Sequence, residues 1–314
     1  MREPVSMEHG AKQMADKIKV TSANGGGQWW KSITWAAKAF EKSGFEVAVS
    51  RAGGWNDPLY RVSSGAADVA VSLTVGAAMA AKSVGPYEGG KTAHIRALAR
   101  LVRPDQHFFN MVRADLGVRS FAELAQKKPR LTASVELTDY GPGWITELYL
   151  RHYGIELMRD IEAWGGSLIT SHPNTLPRLL DGSCNAIFRT DTSAGPAGIA
   201  THLGEWVLLP LDRDIAEKLQ REYCCPMTTI APDFLRGLAN TEPCLTVTNP
   251  GFDLVVGEHL PEDVVYHLAK ALNETSERAW AAQDVFYSIR HAAETPTPLH
   301  PGAARYYREQ RVLQ

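Results

Sequence analysis

Two stretches of this chain follow one script, and the repetition limits the folds open to it. "IKVTSANGGGQWWKSITWAAKAFEKSG" (residues 18–44) runs from a strand through a glycine loop and tryptophans into an amphipathic helix closed by Gly44. "PRLTASVELTDYGPGWITELYLRHYG" (129–154) repeats the order and closes on Gly154. Glycine just past a helix supplies the left-handed residue that stops it. Further on, "RVSSGAADVAVSLTVGAA" (61–78) matches "RLLDGSCNAIFRTDTSAG" (178–195). In both, a glycine turn is followed by Asp68 or Asn185, an apolar strand and a second glycine-containing loop. Strands alternating with helices indicate a parallel α/β layer, and a script run twice indicates two similar lobes.

The expected fold is therefore α/β, two lobes joined by crossover strands with a ligand cleft between them. "HFFNMVRADL" (107–116) and "CLTVTNPGFDLVVGEHL" (244–260), broken at Pro250 and Gly251, are the expected crossovers. This assigns residues 18–110 and 245–314 to lobe 1 and 111–244 to lobe 2. "PEDVVYHLAKALNETSERAWAAQ" (261–283) reads as a helix opened by Pro261. Open α/β sheets bind ligands outside the carboxyl ends of their strands, which here border the cleft.

Composition excludes other classes. With 314 residues, 44% of them hydrophobic, the chain can bury a large core. Thirty-three basic against thirty-five acidic residues leave a formal charge of −2 and no long single-sign run, so no nucleic-acid surface is expected. "QKKPR" (126–130) reads as a solvated loop. No apolar run approaches the roughly 20 residues that span a bilayer, so direct membrane insertion is not expected. The polar N-terminus, "MREPVSMEHGAKQMADK", lacks the apolar segment of a secretory signal. As written the chain is expected in the cytoplasm, or in the periplasm if a signal has been removed. Cys184, Cys224, Cys225 and Cys244 show neither CxxC nor metal-ligand spacing and read as free buried thiols.

The loops carry the candidate site. "NGGGQ" is followed by no GK[ST], and Trp30 stands at the third glycine position of GxGxxG, so neither nucleotide loop is formed. Glycines between a strand end and a helix start still expose backbone N–H groups to an anion such as a carboxylate. "NGGGQ", "LTVGA", "DYGPG" and "DTSAGPAG" are four such edges. Trp29, Trp30, Trp55, Tyr140 and Trp144 lie in or beside these loops and either pack helix onto sheet or wall the ligand. Arg189 ends a strand in "FRTDT", where a planar guanidinium can grip a carboxylate or pair with Asp191. Arg51, ending "VAVSR", is placed similarly. No GxSxG, HExxH or metal-ligand cluster occurs, so no metal and no cofactor is expected. His172, His202 and His300 read as surface residues. Asp57, Asp139 and Asp191 lie near the expected cleft.

The chain resembles the TAXI-type solute-binding subunits of tripartite ATP-independent periplasmic (TRAP) transporters over about residues 18–310. "LPEDVVYHLAKALNE" and "TPLHPGAARYYRE" look like that family's C-terminal signature, "SGAADVAVS" resembles its "SGEADLALV", "VRADLGVRSFAELAQKKPRLT" its "VRADSGIKSLADLKGKRVS", and "LLDGSCNAIF" its "LKDGQIDAFF". The resemblance implies a type II periplasmic-binding-protein fold that closes on a small organic acid or amino acid and hands it to a membrane permease. By position, it makes Asn24, Gly25, Gly26, Trp55 and Asn56 ligand neighbours. "SLTV" stands where the family often reads "VQSD", so Leu73, Thr74 and Val75 favour a carboxylate with an apolar or aromatic body. "RTDT" adds Arg189, with Thr190 and Asp191. Some cytosolic enzymes share the fold, including decarboxylases of aromatic acids. An enzyme using Asp191 or Asp57, or a ligand sensor, is thus the alternative expectation.

Overall fold

The computed structural model describes residues 17–23, 27–136, 139, 141–170, 172–274, 278–282 and 284–313. The first lobe begins with β1 (Lys17–Ser22), α1 (Gln28–Lys42), β2 (Glu46–Arg51), α2 (Asp57–Ser63), β3 (Val69–Leu73), α3 (Thr74–Lys82) and β4 (Ile95–Val102). The second lobe holds β5 (His107–Arg113), α4 (Phe121–Lys127), β6 (Thr132–Val135), α5 (Gly141–His152), α6 (Leu157–Ala163) and β7 (Ser167–Ile169). It continues with α7 (His172–Leu180), β8 (Ala186–Asp191), α8 (Pro196–Leu203), β9 (Trp206–Leu208), α9 (Arg213–Tyr223), β10 (Met227–Ile230) and β11 (Cys244–Val247). The chain returns to the first lobe in β12 (Gly251–Gly257), α10 (Glu262–Glu274), β13 (Arg278–Ala282), β14 (Val285–Ser288), α11 (Ile289–Ala292) and α12 (Pro301–Glu309).

Both large sheets share one order. The first reads β13-β14-β4-β12-β3-β1-β2 and the second β7-β6-β8-β5-β9. In each, three parallel strands (β2-β1-β3 and β7-β6-β8) meet an antiparallel strand that arrives from the other lobe, β12 or β5. This double pattern is the type II periplasmic-binding-protein fold. Central strands β3 (VAVSL) and β12 (GFDLVVG) are buried along their whole length, as strands covered on both faces must be. Helix α1 buries Trp29, Ile33, Ala36, Ala37 and Phe40 on one stripe and ends where Gly44 turns to φ +92°.

The internal repeat extends to single hydrogen bonds. Asp68 Oδ2 accepts Lys19 N at 2.7 Å, and Asn185 Oδ1 accepts Thr132 N at 2.8 Å. Each side chain extends the first strand's ladder from the turn before the third. Gly65 and Gly182, both at positive φ, make the two turns possible.

One expectation changes. The helix after Pro261 stops at Glu274, and 278–282 form β13, which pairs with β14. Strand β5 pairs with β8 from His107 onwards, and β11 pairs with β10 in a small separate sheet.

The crossovers run side by side. Asn249 N donates to Gln106 O (3.0 Å), and Asn249 Nδ2 to Gln106 Oε1 (2.8 Å), while Thr248 Oγ1 reaches the same carbonyl at 2.5 Å. Beside them the lobes pack together: Met79 and Tyr87 of the first share one core with Ile145 and Tyr149 of the second. The lobes are thus joined both at the crossovers and along this packed flank. Among the described residues, no helix is long and apolar enough to cross a membrane.

Candidate functional site

On the first lobe, an aromatic row leads to a cation. The Trp29 ring, at the start of α1, lies 5.5 Å from both Trp55 and Phe252 in edge-on contact. The guanidinium of Arg103, just beyond β4, sits 5.9 Å from the Phe252 ring. Arg103 is held by Asp284, at 2.9 Å through Nε and 2.7 Å through Nη2, and Gln28 Nε2 donates to the other Asp284 oxygen at 2.6 Å. Arg103 is thus an oriented, partly screened cation against an aromatic wall.

On the second lobe, the carboxyl ends of β6 and β8 bring Glu136, Arg189, Thr190 and Asp191 together. Arg189 is 7% exposed, yet among the described residues its one side-chain bond goes to a neutral hydroxyl, Ser134 Oγ, at 3.3 Å, and its Nε is buried without a partner. Among the described residues no carboxylate lies within ion-pair distance of it, although Glu136 and Asp191 both feel its charge. Burying a guanidinium this way is costly unless something completes it.

Asp191 is committed elsewhere. Its carboxylate accepts Ala197 N (2.8 Å) and Thr192 N (2.9 Å), capping α8 with its own charge. Burial pushes it up to about 6, against the opposing pull of Arg189 and those two amides. A Cβ at Gly195 would lie 1.8 Å from Asp191 Oδ1, so this cap requires glycine. Glu136, half-buried, accepts Thr190 N (3.1 Å) and Thr190 Oγ1 (2.7 Å), and burial raises its carboxyl above the ordinary range.

Several expected contacts are redirected. Asn24, Gly25, Gly26 and Tyr140 lie outside the described residues. "DTSAGPAG" is filled by Asp191. "LTVGA" and "DYGPG" face each other: a Cβ on Gly141 would come 3.1 Å from Gly76 Cα, so the two glycines let the lobes close. Val75 N is taken by Asn249 Oδ1 at 3.0 Å, and the Gly141 amide by the Tyr87 hydroxyl. Leu73 and Val75 are core residues, and Thr74 is buried on Asp253 at 2.9 Å.

Asn56 works as a latch. Its Oδ1 accepts Tyr87 OH at 2.8 Å, and its Nδ2 donates across the lobes to the Asp139 carbonyl. Asp57 accepts Gly53 N (2.8 Å) and Arg61 Nε (2.9 Å), which makes it a local cap. Asp57 and Asp191 are thus both tied to backbone amides. Trp30 packs on the first core beneath Arg51, 4.9 Å from the ring centre, which also occupies Arg51. Trp144 meets Tyr223 at 5.0 Å in the flank between lobes. Of the tryptophans, Trp29 and Trp55 remain at the cleft.

His300 is buried, not on the surface, and caps α12 through Gly302 N at 3.2 Å. Cys184, Cys225 and Cys244 are buried free thiols as expected, while Cys224 is half-exposed and accepts Lys82 Nζ at 2.8 Å. Among the described residues, the group with metal-ligand spacing is His152, Asp212 and Asp214, exposed on the outside of the second lobe.

Arg103, Glu136, Phe252 and Asp284 escaped the sequence reading. Glu136 and Arg103 were findable by the rule that singled out Arg189: each is a charged residue just past a strand end. Asp284 and Phe252 arrive from the far end of the chain and carry no local signal.

The chain belongs to the NMT1-like family, whose model matches residues 23–310. Among solved structures it is similar to the glycine betaine/L-proline-binding protein ProX from Borrelia burgdorferi, at 16% identity over 80% of each chain with a TM-score of 0.48. It is also similar to PhnD1 from Prochlorococcus marinus (MIT 9301) in complex with methylphosphonate, at 12% identity over 95% of this chain and 99% of that one, TM-score 0.47. A marine metagenome TRAP solute-binding protein specific for pyroglutamate matches at 11% identity over 83% and 78%, TM-score 0.41.

Proposed function

We propose that this protein is the solute-binding subunit of a TRAP-type transporter, of the TAXI kind, and that its lobes close over a small organic acid with an apolar or aromatic body. The observation that carries the reading is Arg189, a buried guanidinium that, among the described residues, has one long bond to a neutral hydroxyl and an Nε without a partner. A carboxylate is the planar, two-oxygen partner that a guanidinium fork accepts. Arg103 adds a second positive charge across the cleft. Trp29, Trp55 and Phe252 supply a flat surface for the body of the ligand.

Closure follows from where these groups sit. Arg103 and the aromatic row belong to one lobe and Arg189 to the other, so a ligand touching both favours the closed form over the open one. Asn56 on Asp139 then adds to the closed state. On this reading the protein works in the periplasm, beside its permease subunit.

The test is native mass spectrometry of protein purified from cells, followed by release and identification of any bound small molecule. An intact carboxylic acid is expected, and Arg189→Ala is expected to weaken it at least tenfold. A ligand without an acidic group, or a molecule recognisable as a reaction product, overturns the reading.

A further inference from the structure

Charge bookkeeping in the cleft leaves one group unexplained. Arg103 is paired with Asp284, and Asp191 is held by two amides. Arg189 and Glu136 remain, opposite in sign and not in contact among the described ion pairs. If an acid neutralises Arg189, as the function proposed above requires, Glu136 is left as an uncompensated carboxylate in a closed, poorly solvated space. That outcome is costly for a carboxylate held from water, and it weakens the acid's own binding by like-charge repulsion.

We propose that Glu136 is the residue that sets which ligands the cleft accepts: it takes up a proton as the acid binds, so that a monoanionic acid enters together with one proton. The hydrogen bonds single out Glu136 over Asp191. Both Asp191 oxygens accept from backbone N–H groups, and protonating either oxygen sets its proton against an amide that cannot turn round. Glu136 Oε2 also faces an amide, Thr190 N, but its Oε1 faces a hydroxyl, Thr190 Oγ1, at 2.7 Å. A hydroxyl donates or accepts. When Glu136 is neutral, its own O–H points to Thr190 Oγ1, and the threonine proton is freed to point at the ligand carboxylate. Thr190 thereby converts the protonation of Glu136 into a new donor for the acid. Burial raises Glu136, while the charges of Arg189 and Arg103 pull it back towards the ionised form until an acid neutralises Arg189.

The groups around Glu136 are Arg189 and Asp191 on β8, Arg103 with Asp284 across the cleft, and Tyr149 on α5 behind it. Tyr149 is held far above its ordinary value by burial and stays neutral. His107 pairs with Asp191 in the ladder, and burial lowers it, so it is neutral above pH 7. Asp191, at about 6, is ionised there. Between pH 7 and 9 the proton is therefore attributable to Glu136.

The test uses phenylacetate and hexanoate, both ionised in this range, titrated calorimetrically into the wild type, Glu136→Gln and Glu136→Leu in phosphate and in Tris. The wild type is expected to take up about one proton per acid and to lose about tenfold in affinity for each pH unit gained. Glu136→Gln, permanently neutral and still able to donate to Thr190, is expected to take up none and to bind equally across the range. Wild-type binding without proton uptake, accompanied by weaker binding in both variants at every pH, overturns the proposal: Glu136 then meets a cation carried by the ligand, and the Arg189 site stands. Failure of both acids to bind any of the three proteins overturns the acid-binding function itself.

Discussion

Replacing Arg189 by methionine separates a ligand-binding arginine from a structural one, because the two roles predict opposite effects. In the protein without ligand, the guanidinium gains one bond at 3.3 Å, the weak edge of hydrogen-bond distances, and leaves Nε unpaired. A guanidinium bond that long contributes no more than the low end of its class, about 1.5 kcal/mol, while an unpaired buried donor costs about 1–3 kcal/mol. Arg189→Met, made together with Glu136→Gln so that Glu136 is not left ionised without the cation it feels, is therefore expected to leave thermal stability unchanged or to raise it relative to Glu136→Gln alone, by roughly 2 °C for about 1 kcal/mol in a chain of this length. Binding moves the other way. Losing a charge-assisted contact costs roughly 1.5–3 kcal/mol, which is about tenfold to 150-fold in Kd. Differential scanning calorimetry without ligand and titration with the acid recovered from the protein read the two effects. A fall in Tm of more than about 5 °C with affinity intact refutes the reasoning, since it makes Arg189 part of the scaffold.

Other outcomes follow from neighbouring contacts. Asn56→Ala removes the bond to Asp139 and strips the buried Tyr87 hydroxyl of the acceptor for its proton, so small-angle scattering is expected to show a more open ensemble and Kd to rise about fivefold; an unchanged profile counts against the latch. Gly195→Ala drives a methyl into Asp191, and a loss of several degrees in Tm is expected, whereas a neutral result removes the α8 cap from the account. Burial pushes Asp191 and Asp253 up to about 6, above their unfolded values, so the folded state binds the extra protons. Their destabilising ionisation is relieved as pH falls, and Tm is expected to rise between pH 7 and pH 5. A steady decline over that interval is the contrary result. Trp29→Ala is expected to weaken an aromatic acid more than a short aliphatic one, measured side by side.

The sequence by itself determined the lobes and their internal symmetry. Hydrophobic runs, Gly44 and Gly154 at helix ends, and the matched pair Asp68 and Asn185 act over a few residues, where backbone sterics and burial decide the outcome locally. Arg189 was legible for the same reason, as a charge at the end of an apolar strand. Tertiary structure decided the fate of the glycine loops: Asp191, Asn249, Tyr87 and the facing Gly76 and Gly141 took up places that strand-and-loop grammar left open to a ligand. It also brought Arg103, Phe252 and Asp284 to Trp29, contacts spanning up to about 250 positions of chain. A helix N-terminus or a guanidinium accepts whichever partner the fold delivers, and which partner that is depends on the crossing of the chain between lobes, which no local pattern records.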